Sequence, residues 1–181
     1  MRRRSRHLLI MLTRRALPLW LAAVAVEGYA PRELHALPSR ELFTLGRSKN
    51  ANVVKYAARL GRDGQLDLAA PVEAYWLMLA EDGRREELTW TERQLAFGFS
   101  VSSPTREGFL LHLAACSTRV LRVSAAQGGF RAQLAISGQA AYLRRIFVRT
   151  DEGLLMPSVR YIEISGLTAA GQSVSERILP R

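Results

Sequence analysis

The sequence predicts an all-β domain. The expected architecture is an antiparallel β-barrel or a two-layer β-sandwich of about 8–10 strands, with one short helix near residues 90–96. Three observations predict it. From Leu42 onward, short apolar runs recur about every 10–15 residues, separated by Gly, Pro, Asp and Asn. Several of these runs alternate apolar and polar residues, the period of a strand with one buried face. One helix interrupts the pattern, marked by a capping signal.

Taken in order, residues 26–40 hold Pro31 and Pro38 with no clear period and read as an extended lead-in; residues 41–181 read as a single β domain. The polar stretch Arg47–Asn52 falls between two strand-like runs. Val72–Ala80 is apolar on both faces apart from Glu73, which predicts a central strand, and Phe109–Ala115 is similar. Thr89 and Glu92 form a Thr-x-x-Glu capping box, predicting a helix over about Trp90–Ala96. Gly98 suits its exit. A helix this short depends on packing, for which Trp90 and Leu95 are the candidate buried contacts.

Further on, Leu121, Val123 and Ala125 oppose Arg122 and Ser124. Gln127-Gly128-Gly129 then predicts a tight hairpin. It leads into Phe130, Ala132, Leu134 and Ile136, opposite Arg131 and Gln133. Ile162 and Ile164 oppose Tyr161 and Glu163, and a turn at Ala170-Gly171 leads to Val174, Glu176 and Ile178. No internal repeat of solenoid length is present.

The N-terminus predicts export. Residues 1–15 are basic, Ala16 to Ala25 is apolar around Leu17, Leu19, Trp20 and Leu21, and Ala23-Val24-Ala25 is a small-x-small cleavage signal. This is the order of a secretory signal peptide, here residues 1–25. The apolar run is shorter than the roughly 20 residues a membrane span needs, so no transmembrane span is expected in the mature chain. Met11 is an alternative start, and Thr13-Arg14-Arg15 leaves a twin-arginine route open beside the general one. The expected location is periplasmic or secreted.

The formal net charge is +10, but six arginines lie in residues 1–25 with no acid, and without them the charge is +4. The alternating signs of Glu81–Glu87 read as a solvated loop. The order of residues presents no basic stripe interleaved with aromatics and no nucleic-acid motif, so no nucleic-acid partner is expected.

The run Arg47-Ser48-Lys49-Asn50-Ala51-Asn52-Val53-Val54, then Tyr56, resembles the opening motif of the bacterial family called domain of unknown function 4833. Pro71-Val72 with Tyr75-Trp76 resembles its second block. Arg85-Glu86-Glu87-Leu88-Thr89, with Glu92-Arg93 and Leu95-Ala96, resembles its third, and Tyr161-Ile162-Glu163 its last. The resemblance spans about residues 41–178. It implies an exported β-rich domain and assigns no reaction.

The candidate ligand-binding residues are Arg47, Lys49, Asn50, Asn52, Tyr56, Trp76 and Arg93. A loop carrying Arg, Lys and two Asn can hold an anion or polar ligand, although Asn50 and Asn52 equally fit Asx-turns. Tyr56, Tyr75 and Trp76 can line a pocket or fill core. No catalytic residue and no metal ligand set is expected. His112 and Cys116, placed on one strand, would stand roughly 13 Å apart, too far to share a metal or a proton. No cofactor is expected either, since no phosphate loop, nucleophile elbow or zinc helix motif occurs.

These features favour a non-catalytic module that binds a small-molecule or lipid ligand, or an envelope protein partner. The alternatives are a periplasmic enzyme acting on cell-wall or carbohydrate material, with Glu92 as acid and Arg93 as anchor, and a structural envelope protein.

Overall fold

The computed structural model describes residues 40–151 and 158–179. The expected signal segment 1–25 and all but the last residue of the lead-in lie outside them. Among the described residues eleven strands form: β1 (Glu41–Arg47), β2 (Val53–Ala58), β3 (Val72–Leu77), β4 (Arg85–Glu87), β5 (Phe99–Thr105), β6 (Gly108–Leu113), β7 (Val120–Ala126), β8 (Gly129–Ile136), β9 (Gln139–Asp151), β10 (Ser158–Thr168) and β11 (Ser173–Ile178). One α-helix, α1 (Trp90–Leu95), stands between β4 and β5. The protein is all-β, as its sequence predicts.

The sheet is a curled half-barrel with the path β4-β3-β2-β1-β9-β8-β7-β6-β5. It forks at β9, whose long second edge carries β10 and then β11. All strand pairs are antiparallel except one: β1 runs parallel to β9, with Thr44–Arg47 beside Arg145–Val148. A parallel neighbour needs a long crossover, and here β2 to β8 supply it. Alternation encodes which face a residue takes but not strand direction, so the sequence did not predict this pair.

One face is core. Tyr56, Leu45 and Val54 from β1 and β2 meet Leu111, Leu121, Ile136, Ile146 and Ile164 from the other limb, all essentially buried. The predicted alternation holds along β8, where Ala132, Leu134 and Ile136 are buried and Arg131 is exposed. It holds in β7 for Leu121 and Val123, but Ala125 is exposed near the strand end. The hairpin between β7 and β8 turns at Gln127-Gly128. The next hairpin turns at Ser137 (φ 49°) and Gly138 (φ 77°), the double left-handed pattern of a tight two-residue turn. Ser137 tolerates that backbone because its hydroxyl donates to the Ser175 carbonyl at 3.0 Å and its N–H to Glu176 Oε2 at 2.7 Å.

Three local expectations need correction. Val72–Ala80 is a strand only to Leu77, and it lies one place from the sheet's end, with only the short β4 outside it. Its side chains after Val72 are only partly buried. The Phe109–Ala115 strand stops at Leu113, and Ala114–Cys116 forms a 3₁₀ turn. Cys116 is therefore not on a strand with His112; it is half-buried, and burial pushes its thiol pKa up.

Helix α1 has both capping bonds, Glu92 N–H to Thr89 Oγ1 and Thr89 N–H to the Glu92 carboxylate. Trp90 and Leu95, however, are 75% and 74% exposed. The helix joins the two ends of the sheet path from outside, and the residues that enter the core are its flanks, Leu88 and Phe97. Trp90→Ala and Leu95→Ala should therefore each shift stability by no more than about 0.5 kcal/mol. Urea unfolding would check this; a loss of 2 kcal/mol or more would mean that these side chains are buried in solution.

Candidate functional site

Arg47 ends β1 on the inner side. Its guanidinium carbon lies 5.4 Å from the Trp76 ring centroid and 5.2 Å from that of Phe97. The Trp76 indole N–H donates to Glu92 Oε1 at 3.1 Å. The other Glu92 oxygen accepts from the Thr89 amide and hydroxyl, each at 2.9 Å. Burial alone would raise this carboxyl's pKa, but those hydrogen bonds and the nearby Arg47 charge outweigh it and hold the carboxyl below its ordinary value. Three stretches far apart in sequence thus meet at Arg47, Trp76 and Glu92.

Tyr56 lies beneath them, 1% exposed, stacked on Phe43 at 4.6 Å and edge-on to Phe99 at 6.0 Å. Its hydroxyl donates to the Phe97 carbonyl at 3.0 Å, and burial raises its pKa above the usual range. Tyr56 is part of the core.

Several polar groups of the Arg47–Asn52 loop are taken up by bonds within the fold. Ser48 bonds Thr150 through its hydroxyl. Asn50 Oδ1 accepts the Asn52 N–H at 3.2 Å, an Asx-turn. Asn52 is 6% exposed, and its Oδ1 accepts the Ala80 N–H at 2.8 Å, tying down the β3–β4 connection. Lys49 and Asn50 are exposed. Arg47, Lys49 and Asn52 therefore do not converge on one point.

Arg93 lies elsewhere. It lines an open groove of about 340 Å³ between the β3–β4 edge and the α1–β5 stretch, where the two ends of the sheet approach. Val72, Leu88 and Phe97 form its buried floor; Arg59, Arg85, Arg93, Glu73, Glu87 and Gln94 surround it. Arg93 pairs with Glu87 at 2.7 Å and donates to the Leu88 carbonyl at 3.1 Å. Arg85 pairs with Glu73 at 3.2 Å and stacks on Tyr75 at 3.7 Å. Arg59 pairs with Asp67 at 3.5 Å.

These pairs are about half-exposed and individually weak. A ligand carboxylate or phosphate can take over a guanidinium fork at small cost. The sequence reading missed Arg59, Arg85 and Glu73 as groove residues. Arg85 carried a signal, since it opens the third block of the family resemblance; Arg59 and Glu73 carried none, because only strand pairing brings them there.

Among the described residues no group of three or more His, Cys, Asp or Glu is placed to hold a metal. No helix there is long and apolar enough to cross a membrane. A family model described as Domain of unknown function (DUF4833) matches residues 43–177. No curated protein and no solved structure matches the chain.

Proposed function

Given that the chain belongs to the Domain of unknown function (DUF4833) family, we propose that it is an exported, non-catalytic binding module that holds a small anionic ligand in the groove between β3–β4 and α1–β5. The observation that carries this reading is the convergence of Arg59, Arg85 and Arg93 on an open groove with an apolar floor. Guanidinium forks match carboxylate and phosphate oxygens, while a floor of Val72, Leu88 and Phe97 suits the ligand's apolar body.

The acid-and-anchor alternative draws no support from this geometry. Glu92 is occupied by Trp76 and Thr89 and is held ionised, so it has no proton to give near neutral pH. Arg93 turns to Glu87 and the Leu88 carbonyl. Export rests on the basic, apolar and small order of residues 1–25.

Native mass spectrometry on protein released gently from the periplasm tests both parts. The expected polypeptide mass starts just after Ala25. A constant excess mass should accompany it, vanish on denaturation, and be absent from an Arg85→Gln/Arg93→Gln protein that unfolds at the same temperature. Full-length chain retained in the cytoplasm would overturn export. Excess mass persisting in the double variant, or a bare chain in the wild type, would overturn the groove.

A further inference from the structure

Strand pairing assembles a surface that the order of residues hides. Cross-strand partners share a face. On the outer face, Arg122 of β7 stands beside Gln133 of β8, which stands beside Tyr142 of β9. Arg131 stands beside Ser124. Arg145 of β9 stands between Thr44 of β1 and Ser165 of β10, and Arg149 stands beside Tyr161. The intervening residues Val123, Leu134, Ile146 and Val148 are the buried ones, which puts this whole set on one side of the sheet.

Arg122, Arg131, Arg144, Arg145 and Arg149 form no ion pair among the described residues, although eight other cations do. The order of residues presents no such stripe because this one runs across strands, not along the chain. It extends over two strand spacings, ~10 Å, and along β9 for ~23 Å from Tyr142 to Arg149.

Within this face, the register of β9 and β10 shifts between Ser165 and Gly166. A Cβ on Gly166 would clash with the Tyr142 carbonyl oxygen, so only glycine lets the two backbones approach this closely. Beside the shift, an open groove of about 370 Å³ is lined by Arg144, Ser165, Leu167, Ser173 and Ser175. It joins an exposed guanidinium to three hydroxyl-bearing residues.

We propose that this outer face docks an acidic glycan, a chain of sugars bearing carboxylates and hydroxyls. Unpaired arginines interleaved with Ser, Thr and Gln match that alternation of charge and hydroxyl, and the acid in their midst, Glu163 beside Phe147, is already paired with Arg177. Single-stranded nucleic acid needs bare aromatic faces for its bases. Here the rings are capped: Arg131 lies 5.1 Å from the Tyr142 ring, Arg145 4.8 Å from Phe147 and Arg177 4.2 Å from Tyr161. A bilayer surface needs an apolar wedge beside the charge; among the described residues the two most exposed large apolar side chains, Trp90 and Leu95, lie on α1, and the strand of Arg122 offers only the smaller Val120. The outer face is separate from the groove of Arg85 and Arg93, so either proposal stands or falls without the other.

The test measures binding of the purified protein to immobilised polygalacturonate, with a single-stranded oligodeoxynucleotide and phosphatidylglycerol vesicles in parallel. Arg122→Gln/Arg149→Gln removes two charges whose side chains make no hydrogen bond or ion pair among the described residues. Arg62→Gln/Arg84→Gln removes two charges from loops off this face. The face variant should bind polygalacturonate at least tenfold more weakly; the loop variant should stay within about threefold of wild type, and raised salt should weaken all three.

The proposal is overturned by absent polygalacturonate binding, by equal losses in the two variants, or by tighter binding to the oligonucleotide or the vesicles. Should the double variant not fold, Arg149→Gln alone takes its place, with a loss of about threefold expected and no change overturning the idea.

Discussion

Tyr56→Ala is expected to cost about 3–5 kcal/mol, the range for truncating a large buried aromatic. The ring is 1% exposed, stacks on Phe43, meets Phe99 edge-on and bridges the two limbs of the curled sheet through the Phe97 carbonyl. A domain of this size has roughly 5–15 kcal/mol in all, so the variant should approach unfolding at ambient temperature. Tyr56→Phe keeps the stack but leaves the Phe97 carbonyl without its donor, which should cost about 1–2 kcal/mol. Guanidinium titrations of wild type and both variants would check this, read as midpoints at constant slope. If Tyr56→Ala unfolded at the wild-type midpoint yet lost its ligand, Tyr56 would be a binding residue after all and the core assignment would be wrong.

Tyr56 also shows what a sequence can and cannot convey. Its alternation with Val54 and Ala58 marks an inward-facing strand position, and an inward aromatic reads equally as core or pocket lining. Only the arrival of Phe97 and Phe99 from the far end of the sheet decides between them. The same division runs through the molecule. The β8 pattern was legible because one face is buried and side chains alternate with period two. The capping box was legible because both of its bonds lie within four residues.

The parallel β1–β9 pair, the fork at β9 and the outer arginine face were not legible. The parallel pair joins Thr44 to Arg145, far apart in the chain, and the fork and the arginine face depend on the register of several strands at once; local pattern says nothing about which strands become neighbours. The groove suffered the same way: Arg93 was picked from its own segment, whereas Arg59 and Glu73 enter only through pairing. Trp90 and Leu95 misled in the opposite direction. Their apolar character suggested core, but a six-residue helix spanning the outside of two sheet edges needs only its flanks, Leu88 and Phe97, to be buried.

Glu176→Gln should destabilise the protein by about 1–3 kcal/mol at pH 7, the scale for losing one partner of a partly buried bidentate pair. β11 is held in the sheet by its backbone ladder to β10 alone, so its tie to β8 depends on side chains. Glu176 provides it: the carboxylate takes two bonds from the Arg119 guanidinium and a third from the Ser137 N–H at 2.7 Å. Arg119 also donates to the Ala135 carbonyl at 3.1 Å, completing the link to β8. The Arg119 bonds first, and the Ser137 amide second, depress the Glu176 pKa from its ordinary 4.5 to about 2. Because the folded pKa lies below the unfolded one, the stabilisation is complete above about 4.5 and is lost as pH falls through about 2. The wild type should therefore exceed Glu176→Gln in urea titrations at pH 7 by the full amount, and the gap should narrow steadily below pH 4.5. A gap unchanged at pH 2 would mean that the ionised carboxylate is not its source, and no gap at pH 7 would mean that shape rather than charge holds β11, since Gln fills the same volume but keeps no ionisable group.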